Sequence, residues 1–241
     1  MAGWYDDLLE KDSDSYQAQV VLPNILRIVA PKKGDRVLDL ACGQGFFSRE
    51  LAKTGADVVG ADIARELIAY AREHTTAKNI TYHVASADKL TFAEDKTFDH
   101  VLCVLALQNI ENLSGTVKEV RRVLKTGGRF TLVLNHPAFR VLKRSSWGWD
   151  NEAGVQYRRI DGYLTGAKVA VEMQPGSTRS KKTISYHRSL QDFFKALTNN
   201  GFAVSRLEEW TSHKKSDKGP RQTAEDIARK EIPLFLALEC R

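Results

Sequence analysis

Val37-Leu38-Asp39-Leu40-Ala41-Cys42-Gly43-Gln44-Gly45-Phe46-Phe47, with Val58-Val59-Gly60-Ala61-Asp62 after it, is the most strongly patterned stretch of the chain. Its first half is a short apolar run of the kind buried between parallel strands. Gly43 and Gly45 then allow a tight turn, and a helix opens whose free N–H groups lie beside that turn. The second run ends on the carboxylate of Asp62. Strand, glycine turn, helix and strand in this order bind an adenosine-containing cofactor at the carboxyl edge of a sheet. A dinucleotide site normally shows three glycines as G-x-G-x-x-G. Here Ser48 stands at the third position, Ala41 precedes the turn, and Asp39 puts a carboxylate on the first strand. That carboxylate would repel a pyrophosphate and attract the ammonium or sulfonium of an amino-acid cofactor. The charge logic points to S-adenosylmethionine.

The same alternation extends to residue 135. Hydrophobic spacing predicts strands over Arg36–Leu40, Asp57–Ala61, Ile80–Val84, Phe98–Val104 and Arg129–Leu134. Helices are expected from Phe46 to before Gly55, over Ala64–His74 and over Leu113–Leu124, with Lys125-Thr126-Gly127-Gly128 as a turn. Tyr16–Ala30 has helical spacing, interrupted at Pro23 and stopped before Pro31. Short Val/Ile/Leu-rich runs between helices imply a mostly parallel sheet covered on both faces. After residue 135 the rhythm breaks. Gln156–Tyr163, Lys168–Val171 and Lys182–Tyr186 read as strands of a small antiparallel insertion over the carboxyl edge, separated by Gly166 and Pro175-Gly176-Ser177. Ser189–Asn199 restores a helix, with Ser189 as its N-cap. Phe202–Glu209 and Ile232–Glu239 read as strands, and Thr211–Gln222 as a polar loop.

At 241 residues, 42% hydrophobic and 27% charged, the chain suits one soluble domain with an elaboration. No apolar run approaches the ~20 residues of a membrane span. Met1–Asp7 lacks the basic and apolar regions of a signal peptide. Cys42, Cys103 and Cys240 have no metal-ligand spacing, so no metal is expected, and their odd number suits a reducing cytoplasm. The net charge is +6. Its cations cluster after residue 135, as Arg140, Lys143 and Arg144, Arg158 and Arg159, Arg179, Lys181 and Lys182, then Lys214, Lys215, Lys218 and Arg221. Such a set forms either a solvated surface or a phosphate contact.

Val37–Gly45 resembles motif I of the class I S-adenosylmethionine-dependent methyltransferases. Gly60-Ala61-Asp62-Ile63 is similar to their acidic second motif, Ser86-Ala87-Asp88 to their third and Phe98-Asp99-His100-Val101 to their fourth strand. Arg122–Phe130 is similar to their turn into strand five. These matches cover about residues 35 to 135 in family order, and the final helix, strand, loop and strand resemble the family's antiparallel ending. The resemblance implies an α/β, Rossmann-like, doubly wound sheet of seven strands, mostly parallel, with an antiparallel last strand and a β-rich insertion after strand five. It divides the chain into a helical cap (1–34), a cofactor-binding core (35–135), an acceptor lid (136–187) and a C-terminal completion of the sheet (188–241). It further implies that Asp62 accepts from both ribose hydroxyls and that Ile63 packs on adenine. Asp88, with Ala87 alongside, would accept from the adenine amine. Gly43, Gly45 and Ala41 would line the methionine portion, Asp39 would orient its ammonium through that loop, and Leu105 would face the methyl. Two departures stand out: Ala41 where the family usually has glycine, and Gln108-Asn109 where many small-molecule members carry histidines.

The implied activity is methyl transfer to a small-molecule acceptor, with S-adenosylhomocysteine as product. The reaction demands alignment and exclusion of water, and a base only if the nucleophile must lose a proton. His136, leaving strand five, is one candidate for that base or for an orienting group, and His187, at the exit of the insertion, is another. Trp147, Trp149, Tyr157 and Arg158 would wall a pocket for a planar or acidic molecule, stack bases, or form the insertion's own core. Tyr16 would reach over the cofactor as a lid, and Trp4 and Tyr5 are equally suited to packing. Three rivals remain: an RNA or DNA methyltransferase using the basic second half, an NAD-dependent oxidoreductase on the same fold, and a cofactor-binding scaffold without turnover.

Overall fold

The computed structural model describes residues 14–172 and 182–241. β1 (Arg36–Leu40) is buried from its second residue onward, because it pairs in parallel with β2 (Asp57–Asp62) on one side and β4 (Phe98–Val104) on the other. β3 (Ile80–Val84) extends the sheet beyond β2, and β5 (Leu124–Asn135) lies parallel to β4. β11 (Phe235–Cys240) pairs antiparallel with β5, and β10 (Val204–Trp210) antiparallel with β11. The spatial order is therefore β10-β11-β5-β4-β1-β2-β3, with β11 alone opposed to the other six. The sheet reverses its winding between β1 and β4, where a crevice opens at the carboxyl ends.

Alternate strand residues divide between the two faces. Val37, Leu102, Val133 and Ala237 point to one side, covered by α1 (Leu22–Val29), α2 (Phe46–Ala52) and α3 (Arg65–Glu73). Leu38, Val101, Leu132 and Leu238 point to the other, covered by α4 (Leu113–Val123) and α5 (Leu190–Asn199). Each fully buried Leu or Ile contributes about 2 kcal/mol before entropic costs. Pro23 sits in the first turn of α1, where a missing N–H costs nothing, and a π-helical turn over Gln17–Val21 precedes it. Ser189 caps α5 through a reciprocal pair of bonds with Asp192. Phe98 faces Leu124 while His100 faces Arg129, so the Lys125–Gly128 turn bulges out of a strand that begins earlier than expected.

The segment after β5 forms two separate antiparallel hairpins, β6 (Ser145–Asp150) with β7 (Val155–Ile160) and β8 (Ala167–Glu172) with β9 (Lys182–His187). Two elements differ from the sequence expectation. β6 was not expected as a strand, and α6 (Gln222–Glu231) occupies a stretch without an expected element. β10 and β11 also begin two and three residues later than their hydrophobic runs. Trp4, Tyr5, Pro175-Gly176-Ser177, Arg179 and Lys181 lie outside the described residues. No described helix is long and apolar enough to cross a membrane.

Candidate cofactor and acceptor site

The turn between β1 and α2 is built from left-handed residues: Ala41 at φ 57°, Gly43 at φ 57° and Gly45 at φ 82°. Tyr82 on β3 packs beneath it. A Cβ on Gly45 would lie 2.4 Å from the Tyr82 hydroxyl oxygen, and one on Gly60 2.5 Å from the Tyr82 ring. A Cβ on Gly43 would meet nothing within 4 Å, so open space lies above this one residue of the turn. Leu105, at the end of β4 across the crevice, is also left-handed at φ 53°. An L-residue in this region costs about 1–2 kcal/mol, and such strain concentrates at functional sites.

Asp62 ends β2 with its carboxylate fixed by backbone donors. Its Oδ2 accepts from the Gly43 N–H at 2.9 Å and its Oδ1 from the Ala64 N–H at 2.8 Å. Each oxygen retains a further lone pair toward solvent. Ile63 follows, 71% exposed. Asp88, preceded by buried Ala87, accepts from the Ser86 hydroxyl and from Asn112 Nδ2 at 2.8 Å, and these two bonds hold its pKa below the usual carboxylate value. Asp39 is 1% exposed beneath the turn and accepts from Ser48 Oγ at 2.6 Å. Burial raises its pKa to about 6. It can therefore act on a ligand only through the loop above it. Gln44, which sequence reasoning passed over, buries an Nε2 with no hydrogen-bond partner among the described residues. Its one sequence signal is its place between the two glycines.

A cavity of about 240 Å³ opens beside the carboxyl end of β5, under the hairpins. Arg140, Arg158, His187 and Arg188 line it together with Gln108. His187 is 6% exposed, and its Nε2–H donates to the Tyr163 carbonyl at 2.7 Å. That bond puts a hydrogen on Nε2 and leaves Nδ1 as the ring nitrogen without a partner among the described residues. His136 differs. It is 2% exposed and does not line the cavity. Its Nδ1 accepts from the N–H groups of Ala138 and Phe139 at 3.2 and 3.4 Å, so Nε2 carries the hydrogen and donates to Glu209 at 2.7 Å. Burial keeps its pKa low despite Glu209. His136 thus ties the turn after β5 to β10, and no ring nitrogen remains for an acceptor.

Of the other candidates, only Arg158 reaches the cavity. Trp147 lies under the Arg158 guanidinium at 5.1 Å, Trp149 under Arg221 at 4.6 Å, and Tyr157 packs across Gly148 on the same hairpin. Tyr16 shares a 3.0 Å hydrogen bond with the Ser212 hydroxyl, and its ring packs T-shaped with Phe235. Gln108 Nε2 donates to the Leu105 carbonyl at 2.6 Å, which fixes the amide's orientation and leaves Oε1 buried without a partner among the described residues. The described residues contain no His/Cys/Asp/Glu cluster fit for a metal.

Residues 38–132 match the family model described as Methyltransferase domain. This stretch runs from within β1 to within β5 and holds the glycine turn, Asp62 and Asp88. Residues 38–132 are similar to a methyltransferase domain. The demethylmenaquinone methyltransferase of Tropheryma whipplei (strain Twist) is 40% identical over 106 residues, covering 43% of this chain and 44% of that protein. The ubiquinone biosynthesis O-methyltransferase of Xanthomonas oryzae pv. oryzae (strain PXO99A) is 35% identical over 101 residues, covering 41% and 42%. The match thus spans less than half the length of these curated relatives. A solved S-adenosylmethionine-dependent methyltransferase from Mesorhizobium loti aligns over 94% of this chain and 98% of its own, at 29% identity and a TM-score of 0.72. The matched stretch holds the glycine turn, Asp62 and Asp88, while most of the cavity's lining, including His187, lies beyond it.

Proposed function

We propose that the chain moves a methyl group from S-adenosylmethionine to a small-molecule acceptor, releasing S-adenosylhomocysteine. The observation that carries this reading is the pairing of Gly43 with Asp62. The residue with open space above it donates its N–H to the carboxylate that ends β2. In this reading Asp62 accepts from the ribose hydroxyls, Ile63 offers its exposed side chain to the adenine face, and Asp88 marks the far end of the base. Ala41, Gly43 and Gly45 line the methionine portion and Leu105 closes the crevice opposite. The bound cofactor supplies an electrophilic methyl on a sulfonium. The protein's part is to align the acceptor and to exclude water. His187 is the group placed to take or orient the acceptor's proton, since its free Nδ1 belongs to a cavity-lining ring held by Tyr163.

The small-molecule reading is favoured by where the late cations go. Arg140, Arg158 and Arg188 line a cavity, Lys214 lies over Tyr16, and Arg221 lies over Trp149, so these five cations are engaged at a cavity or on aromatic rings. The two quinone-pathway relatives suit an aromatic acceptor. The three cysteines are buried and unpaired, which suits the reducing cytoplasm. The test is incubation of the chain with methyl-labelled donor and a cell extract fractionated into metabolites and nucleic acids. Label in the metabolite fraction is expected. Label confined to nucleic acid would overturn the acceptor assignment.

A further inference from the structure

Resting on the methyl-transfer reading, the cavity's charge speaks to the acceptor. Its lining includes Arg140, Lys143, Arg158 and Arg188 and no carboxylate, while Leu134, Pro137, Val141 and Phe193 supply an apolar wall. Arg188 is committed to the backbone, donating to the carbonyls of Leu107, Ile110 and Glu111 at 3.3, 2.7 and 2.7 Å. Arg158 is oriented by neutral groups only, donating to the Phe139 carbonyl at 2.9 Å and the Ser145 hydroxyl at 2.7 Å. The Arg140 guanidinium makes no hydrogen bond or ion pair with any described residue. Arg140 and Arg158 repel one another, and desolvation lowers the pKa of both. Arg140 is exposed and Arg158 half-buried at the cavity wall, and like charges held close together without a counter-charge among the described residues are relieved when an anion joins them. Planar guanidiniums match the paired oxygens of a carboxylate or phosphate.

We propose that the acceptor is an organic anion, an apolar body bearing a carboxylate or phosphate that Arg140 and Arg158 hold in this cavity. Arg140 also lies within electrostatic range of Tyr16, and Tyr16 and Leu105 pack against one apolar cluster. Neutral aromatics would share the apolar wall and lose the guanidinium contacts.

The experiment titrates the full chain with S-adenosylhomocysteine, then titrates the saturated complex at low salt with benzoate, phenyl phosphate and neutral benzamide. Saturable binding of benzoate or phenyl phosphate at least tenfold tighter than benzamide is expected, and the tighter of the two identifies the head group. Arg140→Gln should weaken the anion at least tenfold while leaving S-adenosylhomocysteine affinity unchanged, and Arg140→Lys should recover part of the loss. Arg159→Gln, at an exposed arginine paired with Asp161 outside the cavity, should change nothing. Equal binding of benzamide, no binding of either anion, or equal losses in the Arg159 and Arg140 variants would overturn the proposal. Failure of S-adenosylhomocysteine to bind would instead strike the methyl-donor reading.

Discussion

At Ala41 an L-residue holds a conformation that glycine adopts freely, one residue past β1. The methyl-bearing side chain adds strain, and glycine would relieve it while adding entropy to the unfolded chain. Ala41→Gly should therefore stabilise the fold by about 1 kcal/mol or less, read as a higher urea midpoint. A lower midpoint would mean that the Ala41 methyl packs more than its conformation costs. Asp39 sets a pH dependence of known sign. Its native pKa is raised to about 6 by burial, above the ordinary carboxylate value of 3.8. Between those values the native state keeps a proton that the unfolded chain releases, so this group's contribution falls as pH rises and is fully lost above about 6. Asp39→Asn should match the wild type near pH 4 and gain on it by about 2–3 kcal/mol by pH 7, on the conversion of 1.36 kcal/mol per unit. Parallel stability curves across that range would refute the buried-acid assignment. His136 and His187 show the limit of residue-level reading. Both lie in loops or strand ends rich in polar neighbours, and only their distant partners, Glu209 and the Tyr163 carbonyl, separate a structural imidazole from one facing a cavity.

Among the elements, α4 links packing to the cofactor crevice. Asn112 caps it, with Oδ1 accepting from the Gly115 N–H at 3.0 Å and Nδ2 donating to Asp88. Asn112→Ala should cost about 1 kcal/mol of stability by loss of the cap. It should also weaken S-adenosylhomocysteine severalfold, because Asp88 loses a donor that holds its carboxylate. Unchanged affinity in the destabilised variant would remove Asp88 from the adenine end. β1, β4 and the end of β5 were legible because each is flanked by strands on both sides, so their apolar runs are continuous, whereas β3, at the sheet edge, shows alternating burial instead. β6 was not, since both faces of its hairpin are partly open and its burial shows no period of two. α6 was missed for a similar reason: Ala228 is its one fully buried residue, too little to mark a helical face. For Trp147 and Trp149 the sequence leaves a pocket wall and the insertion's own core both open; Trp147 lies beneath Arg158 of the same hairpin and Trp149 beneath Arg221, just before α6. The glycine turn was readable in full because strand, turn and carboxylate are local in sequence, and Tyr82 adds the steric reason for Gly45 and Gly60.

Across the whole molecule, segments distant in sequence meet at the open end of the sheet. Ser185 Oγ donates to the Gln108 carbonyl and Arg188 to three carbonyls after β4, so the second hairpin leans on the exit of that strand. The stretch after β10 reaches back to the N-terminal segment through Ser212 and Tyr16 and through His213 and Asp14. The glycine turn and its carboxylates thus lie within residues 38–132, whereas most of the cavity's lining comes from the hairpins and the segments that flank them. That division explains why the glycine turn was legible from local motifs, while the cavity is visible only once distant segments are assembled. The most direct measurement is equilibrium titration of the chain with S-adenosylhomocysteine and, separately, with NADH, repeated on Asp62→Ala with its fold checked by circular dichroism. Micromolar binding of S-adenosylhomocysteine, at least tenfold weaker in the variant, and no saturable binding of NADH are predicted, since the variant loses charge-assisted ribose contacts. Micromolar binding of NADH without S-adenosylhomocysteine, or an affinity that Asp62→Ala leaves unchanged, would contradict the assignment of the Gly43–Asp62 crevice to a methyl donor.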